Sequence, residues 1–311
     1  MIVSCVMMWA LSAAGDAGLS GDLVVFHAGS LAVPMREIAN AFMEEHPGVV
    51  VLREAAGSRE SARKISDLHR PCDILASADY AVIDSLLIPE FAGWNIRFAG
   101  NEMAIVYGGE SRHAAELTAE NWFNVLLRDD VAFGRSDPNA DPCGYRTILT
   151  LKLAETYYGQ RGLAARFLKK DTRYIRPKET DLLALLETGS VDYVFLYRSV
   201  GIQHGLKWLP LPDSINLKNP ALADRYAGVS VELTGKEPGT VMTQKGEAMV
   251  YGVTIPKNAP NPAAAVAFLE FLLAKDKGLA ILEKHGQPSI VPSPATHYEL
   301  IPESLKPYAL P

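Results

Sequence analysis

The chain has 311 residues, of which 48% are hydrophobic and 21% are charged, and its formal net charge is −6. This length suits two lobes of roughly 100–150 residues each, and the composition argues against disordered and fibrous classes. The negative charge argues against a nucleic-acid binder, which needs a basic face, and any bound anion must therefore be held by local dipoles.

The N-terminal segment predicts an exported protein. Residues 2–11 form the apolar run IVSCVMMWAL, and small residues follow at 12–14. This run has the length of a signal-peptide core and is too short to cross a bilayer. We therefore predict a signal peptide over residues 1–17 and a periplasmic or extracytoplasmic mature chain. No Lys or Arg precedes Arg36, and a buried N-terminal element is the alternative interpretation.

The three cysteines do not form a metal-ligand motif. Cys5 lies in the predicted signal peptide, and Cys72 and Cys143 are not part of a CxxC pair. These two residues could form a disulfide in an oxidising compartment or remain buried thiols, and the sequence leaves both possibilities open.

The first third of the chain predicts strands that alternate with helices. Strands are predicted over residues 23–26, 49–52 and 73–76, and helices over 34–45 and 59–68. This alternation is typical of βαβ units and predicts a parallel sheet.

The remainder of the chain predicts a second lobe of the same class and a return to the first. In chain order we predict a strand at 104–107, an element at 122–127, a strand at 131–133, helices at 145–158 and 180–187, strands at 193–197 and 249–255, and a helix at 262–273. The predicted fold is α/β, with two lobes joined by two strands around a hinged cleft. Lobe 1 is assigned residues 22–103 and 250–311, and lobe 2 is assigned residues 104–249.

Two Gly-Ser pairs stand between a predicted strand and a helix. Gly29-Ser30 follows the first strand, and Gly57-Ser58 follows the second. Unpaired N–H groups and the helix dipole favour an oxyanion there, and ligands of parallel sheets bind at this edge. A serine that only caps its helix is the alternative for each pair, and neither pair matches a nucleotide-binding motif.

Three further segments contain candidate site residues, but each of these residues could also have a purely structural role. The turn SDPNADPCGYR at 136–146 opens a helix, the run Lys178-Glu179-Thr180-Asp181 begins another, and Tyr197 ends a strand. A capped loop, acidic residues placed for the helix dipole and a core aromatic would account for these patterns. The residues alone leave these roles open.

Several segments together resemble the tungstate/molybdate-binding proteins of ABC transporters. They are FHAGSLAVPM, EAAGSRESARKI, DILASADYAVI, PEFAGWNIRFAGNEMAIVY, SDPNADPCGYR, LLETGSVDYVFLYRSVGIQHG and VYGVTIPKNAPNP. The FHAGS and DPCGYR strings are typical of the archaeal-type branch of this family. The resemblance implies a two-lobed periplasmic-binding-protein fold of type II, each lobe a mainly parallel sheet flanked by helices. It also implies a solute-binding protein, not an enzyme, that takes tungstate or molybdate as its ligand and needs no cofactor.

The partners follow from the same resemblance. An ABC permease and its ATPase subunits would receive the oxyanion, and the protein would meet the membrane only through the permease or a retained N-terminal anchor. We expect a monomer.

The resemblance also implies the site residues. Hydrogen bonds to the oxyanion would come from Gly29, Ser30, Gly57, Ser58 and Tyr197, and carboxylates on the metal atom from Asp141 and Glu179. Two carboxylates repel a dianion unless their oxygens coordinate its central atom. Tungsten(VI) and molybdenum(VI) can expand from four to six oxygen ligands, whereas sulfur cannot, so this pocket would reject sulfate. Asp181 is the alternative to Glu179, because the local alignment could slip.

Three other functions fit the sequence less well. The main alternative is a protein of the same fold that binds sulfate, phosphate or another small anion. A hydrolase would need Ser30 or Ser58 beside a histidine such as His27, but the chain has no GxSxG elbow. The effector domain of a regulator would need a DNA-binding segment ahead of residue 23.

Overall fold

The computed structural model describes residues 18–311, so the predicted signal peptide and Cys5 lie outside the described residues. The strands are β1 Gly21–Ala28, β2 Val49–Ala56, β3 Ile74–Ser77, β4 Ile96–Gly100, β5 Met103–Tyr107, β6 Phe133–Ser136, β7 Ile175–Arg176, β8 Tyr193–Tyr197, β9 Lys207–Pro210, β10 Ser230–Thr234, β11 Val241–Lys245, β12 Val250–Thr254, β13 Ser293–Pro294 and β14 Ala309–Leu310. The α-helices are α1 Ala32–Glu45, α2 Ser58–Ser66, α3 Tyr80–Leu86, α4 Trp122–Leu126, α5 Pro142–Tyr157, α6 Leu163–Lys169, α7 Leu182–Glu187, α8 Arg198–Gln203, α9 Ala223–Ala227, α10 Pro262–Leu273 and α11 Gly278–Lys284.

The first lobe is built on a five-stranded sheet with the order β2-β1-β3-β12-β4. β1 pairs in parallel with β2 and β3, whereas β12 runs antiparallel to both of its neighbours. The apolar face of α1, which includes Met35, Ile38 and Phe42, is fully buried. The Phe42 ring packs edge-on against Phe268 and Phe271 of α10. The helical spacing of these side chains is what joins the two helices into one core.

The second lobe repeats this arrangement with a sheet of order β7-β6-β8-β5-β9. β6 is parallel to β7 and β8, and β5 is antiparallel to β8 and β9. Its core contains an aromatic cluster in which Trp122, Phe133 and Phe167 surround the ring of Phe195. The predicted two-lobed α/β fold is therefore confirmed, but each sheet is mixed, with two parallel and two antiparallel pairings, and not mainly parallel as predicted.

Two short links join the lobes. Residues 101–102 connect β4 to β5, and residues 246–249 connect the antiparallel hairpin β10-β11 to β12. Within the described chain, no helix combines the length and apolar character that crossing a bilayer requires.

Some element boundaries differ from the sequence prediction. The strand predicted at 131–133 begins only at Phe133. The N–H of Ala132 donates to the side chain of Asp192 at 2.8 Å, so it does not pair with a neighbouring strand. The helix predicted from residue 145 begins at Pro142, because the Asp141 side chain caps it. The sequence does not predict the hairpin β10-β11, since only Val231 and Leu233 among its strand residues are buried and the apolar signal is short.

Cys72 and Cys143 are free, buried thiols. The Cys72 thiol donates to the carbonyl of Ile74 at 3.1 Å, and the Cys143 thiol donates to the carbonyl of Phe195 at 3.5 Å. Of the two possibilities that the sequence left open, the structure therefore has the unpaired thiols. Burial raises the pKa of Cys72 to about 12.

Candidate functional site

The two Gly-Ser pairs lie at the carboxyl ends of the parallel strands β1 and β2. Gly29 and Ser30 belong to a 3-10 turn ahead of α1, and Ser58 is the first residue of α2. Both serine side chains are fully buried, and neither residue occupies a helix-cap position. The interpretation of these serines as simple helix caps is therefore wrong, because Leu31 is the N-cap of α1 and Gly57 is the N-cap of α2.

The predicted carboxylates lie beside the first Gly-Ser pair. The backbone N–H of Ser30 donates to Oε1 of Glu179 at 2.5 Å. The N–H of Glu179 donates in turn to Oδ2 of Asp141 at 2.8 Å. The other oxygen of Asp141, Oδ1, accepts the N–H of Cys143 at 3.1 Å at the start of α5. The structure thus brings Ser30, Asp141 and Glu179 together across the two lobes.

The second oxygen of Glu179 is exceptional. Oε2 is buried and has no hydrogen-bond partner among the described residues. Burial raises the pKa of Asp141, and burial together with the charge of Asp141 raises the pKa of Glu179 well above its usual range. A buried carboxylate oxygen without a partner costs free energy. The site therefore has an oxygen that can coordinate a further group.

The lobes approach each other closely at the two glycine corners. A Cβ atom on Gly29 would lie 2.8 Å from Oε2 of Glu179, and one on Gly57 would lie 2.3 Å from the carbonyl oxygen of Ala140. Both neighbours belong to the second lobe. The glycines of the Gly-Ser pairs therefore permit the contact between the lobes.

Ser58 and Tyr197 reach the same region through a buried arginine. The hydroxyl of Ser58 accepts the N–H of Ala78 at 2.9 Å. Nη1 of Arg146 donates to the carbonyl of Ala78 at 2.7 Å and to the hydroxyl of Tyr197 at 3.2 Å. Arg146 thus links Tyr197 in the second lobe to the loop that holds Ser58 in the first.

The pair of Arg146 and Asp79 was missed by the sequence prediction. Nη2 of Arg146 lies 3.2 Å from Oδ2 of Asp79 and forms an ion pair with it, although it makes no hydrogen bond. Both side chains are buried, and they belong to different lobes. Arg146 stands in the DPCGYR string, but its partner is 67 positions earlier (146 − 79), so only the folded arrangement reveals the pair.

Two alternative residues lie elsewhere. Asp181 is 40% exposed at its side chain and pairs with Lys178 at 3.2 Å, so Glu179 and not Asp181 contacts Ser30. His27 places Nδ1 2.8 Å from the carbonyl oxygen of Ala28, whereas the hydroxyl of Ser30 bonds to Tyr251. The serine and histidine that a hydrolase would need are therefore not paired.

Two arginines of α2 make a further contact between the lobes beside the site. The buried side chain of Arg59 donates from Nη2 to the carbonyl of Thr234 in the hairpin β10-β11 at 2.5 Å, and from Nε to the carbonyl of Asn139 at 3.2 Å. Arg63, one turn later, donates to the carbonyl of Gly235 at 2.7 Å. The described structure is therefore the closed arrangement of the lobes.

The site differs from a cluster of metal-cation ligands. Among residues 18–311, no group of three or more His, Cys, Asp or Glu side chains is placed to hold a metal ion. The site has instead two carboxylates, two serine hydroxyls and backbone N–H groups at helix N-termini.

Comparisons with known proteins agree with the fold and the resemblance. Residues 23–287 match the family described as bacterial extracellular solute-binding protein. The chain is 50% identical to an uncharacterized solute-binding protein of Petrotoga mobilis, over 93% of this chain and 90% of that protein. It is 39% identical to the molybdate/tungstate-binding protein WtpA of Thermococcus kodakarensis, over 98% of this chain and 95% of that protein. The structure is similar to the periplasmic molybdate-binding protein of Azotobacter vinelandii, with a TM-score of 0.63 at 16% identity, covering 87% of this chain and 99% of that one.

Proposed function

Because the chain belongs to the bacterial extracellular solute-binding protein family, we propose that it captures tungstate or molybdate between its lobes. The oxyanion is then delivered to an ABC permease and its ATPase subunits. Members of such a family bind a solute without transforming it, in agreement with the prediction that this chain is not an enzyme. The family places the protein outside the cytoplasm. A signal peptide over residues 1–17 and a monomeric state complete the proposal.

The observation that carries this proposal is the buried pair of Asp141 and Glu179 with an unpartnered oxygen. A sulfate or phosphate would be repelled by either carboxylate in its ionised form, because two like charges about 4 Å apart at an effective dielectric constant of 20 cost about 4 kcal/mol. Tungsten(VI) and molybdenum(VI) can accept carboxylate oxygens as additional ligands, so the same two groups become attractive. The carboxylates therefore favour the metal oxyanions over sulfate.

The remaining groups would bind the oxygens of the oxyanion. Ser30, Ser58 and the backbone at Gly29 and Gly57 supply donors from the first lobe, and Tyr197 supplies one from the second. Since these groups come from both lobes, a ligand that bound all of them would favour the closed arrangement. We propose that lobe 1 comprises residues 22–103 and 250–311 and lobe 2 comprises residues 104–249.

The test is to remove each carboxylate and titrate the protein with tungstate, molybdate and sulfate by isothermal calorimetry. We expect Asp141→Ala and Glu179→Ala to weaken tungstate binding by about 30-fold or more, the equivalent of about 2 kcal/mol. Asp141→Asn removes the charge and keeps the cap of α5, because its amide oxygen can still accept the N–H of Cys143, although its amide nitrogen cannot accept the N–H of Glu179.

Asp181→Ala is the matched control, since it removes an acidic residue of the same segment that faces solvent. It should leave the dissociation constant unchanged. Tungstate binding as tight as in the parent by both carboxylate variants would refute coordination by these residues. A parent protein that prefers sulfate over tungstate would instead support the alternative of a sulfate-binding protein.

A further inference from the structure

Tyr251 has a buried hydroxyl group at the junction of the two lobes. The residue lies in β12, close to the link that returns the chain to the first lobe, and its side chain is fully buried. Its hydroxyl oxygen lies 2.9 Å from the Ser30 hydroxyl, 2.8 Å from Nδ2 of Asn101 and 3.3 Å from Nε2 of Gln287. Tyr251 therefore connects a predicted oxyanion donor to the hinge, because Asn101 belongs to the other link.

The orientation of both amide groups follows from their other hydrogen bonds. Oδ1 of Asn101 accepts the N–H of Glu102 at 2.9 Å, so its nitrogen must face Tyr251. Nε2 of Gln287 also donates to the carbonyl of Ser30 at 3.0 Å, so the nitrogen of this amide points the same way. An amide nitrogen can only donate. The tyrosine oxygen is therefore the acceptor in both bonds.

The direction of the remaining bond is then determined. With its lone pairs facing two donors, the hydroxyl of Tyr251 has one proton to give, and its third neighbour is the Ser30 oxygen. Ser30 accepts this proton and keeps its own for another acceptor. Among the described residues, the Ser30 hydroxyl has no other hydrogen-bond partner. Its backbone N–H, meanwhile, points to Glu179 in the proposed site.

We infer that Tyr251 is a positioning residue, which accepts hydrogen bonds from Asn101 and Gln287 and thereby holds the Ser30 hydroxyl as a donor to the bound oxyanion. A serine hydroxyl can act as donor or acceptor, and only the donor orientation stabilises an oxyanion. Because Asn101 also donates to Ser199 of the second lobe at 2.7 Å, the orientation of the serine proton depends on the hinge conformation of the closed protein. This inference rests on the proposed function of the site.

The test is Tyr251→Phe, which removes the hydroxyl and retains the ring that packs 5.9 Å from the ring of Phe98. We expect tungstate to bind about 5- to 30-fold more weakly, the effect of one misdirected hydrogen bond. Tyr226→Phe is the matched control, because Tyr226 is equally buried and donates to the carbonyl of Asp213 at 2.5 Å outside the site. It should lose a comparable hydrogen bond without a change in affinity.

A double-mutant cycle separates positioning from a general loss of structure. If Tyr251 acts through Ser30, the double variant Ser30→Ala/Tyr251→Phe should bind tungstate no more weakly than Ser30→Ala alone. Asn101→Ala provides a second approach that leaves the tyrosine in place. Its effect should have the same sign and should be smaller in the Ser30→Ala background, where only the loss of its bonds with Ser199 and Glu102 remains.

The outcomes distinguish this inference from the proposed function. Unchanged tungstate binding in Asp141→Asn and Glu179→Ala would overturn the proposed site and this inference with it. If those variants weaken binding but Tyr251→Phe does not, only the positioning role fails. Fully additive losses in the double variant would also overturn it, because they would show that Tyr251 acts independently of the Ser30 hydroxyl.

Discussion

The contact between Gly57 and Ala140 offers a direct test of lobe closure. Gly57 caps α2 in the first lobe, with φ −58° and ψ 139°, a conformation that alanine adopts without strain. A Cβ atom would nevertheless lie 2.3 Å from the carbonyl oxygen of Ala140 and 3.0 Å from that of Pro177, both in the second lobe. The substitution Gly57→Ala is thus compatible with the first lobe alone and incompatible only with the closed arrangement.

The size of the effect follows from these distances. Ordinary contact between such atoms needs about 3.5 Å, so the lobes must separate locally by about 1 Å. The neighbours are backbone atoms and cannot turn aside as a flexible side chain would. One additional methyl group in a tightly packed interface costs about 1–3 kcal/mol. If closure is coupled to binding as proposed, tungstate should bind about 5- to 150-fold more weakly in Gly57→Ala.

Calorimetric titration with tungstate measures this change, and thermal unfolding of the ligand-free protein shows whether the lobes themselves are intact. Gly109→Ala is the control, since nothing lies within 4 Å of the Cβ position and the affinity should not change. Parental affinity in Gly57→Ala would refute the reasoning, because it would mean that the ligand-bound protein does not have this contact. If the ligand-free variant loses as much stability as it loses in binding free energy, the clash lies within a lobe and not between the lobes.

Two further predictions concern buried titratable groups outside the carboxylate pair. Burial lowers the pKa of His27 to about 4, so the unfolded chain, with a value near 6.5, binds the proton first as the pH falls. The contribution of His27 to the free energy of unfolding should therefore be fully present above about pH 6.5 and should decrease as the pH falls. Between pH 7 and 4.5 the free energy of unfolding of the parent, measured by denaturant titration, should fall by about 2–3 kcal/mol more than that of His27→Asn. Equal losses would contradict this. The thiols of Cys72 and Cys143 are buried with raised pKa values, so neither should react with a thiol reagent at pH 8 until the protein is unfolded, and rapid labelling of the native protein would contradict their burial.

The parts of the fold that the sequence predicts well are those that depend on local periodicity. The strands at Tyr193–Tyr197 and Val250–Thr254 and the helix Pro262–Leu273 lie where the apolar pattern places them, within a residue at each end. The hairpin β10-β11 has only a short pattern of this kind, and contacts with distant residues such as Arg59 hold it in place. Val231 and Leu233 are buried in β10, but the residues of β11 alternate between partly buried and exposed, so the apolar signal is too short to be recognised.

The site shows the same division between local and long-range information. Gly-Ser pairs at the ends of parallel strands indicate an anion site, but Glu179 and Asp181 are equivalent in the sequence, both in the first turn of one helical segment. The structure separates them, since Glu179 turns inward to Ser30 and Asp181 turns outward to Lys178. The two residues differ because the first lobe lies against Glu179, and a local sequence pattern does not predict such a long-range contact.

Asp141 shows why a structural explanation and a functional one need not compete. Its Oδ1 caps α5, as any turn of this composition would suggest, and its Oδ2 holds the backbone of Glu179. Both oxygens therefore already accept hydrogen bonds, so a metal atom bound as proposed would share them with N–H groups. Glu179 accepts only with Oε1 and leaves Oε2 unpartnered and buried, facing the Gly29 corner. The backbone N–H of Glu179 donates to Oδ2 of Asp141, and this bond fixes the position of Glu179. The residue that caps α5 therefore also positions the second carboxylate of the proposed site.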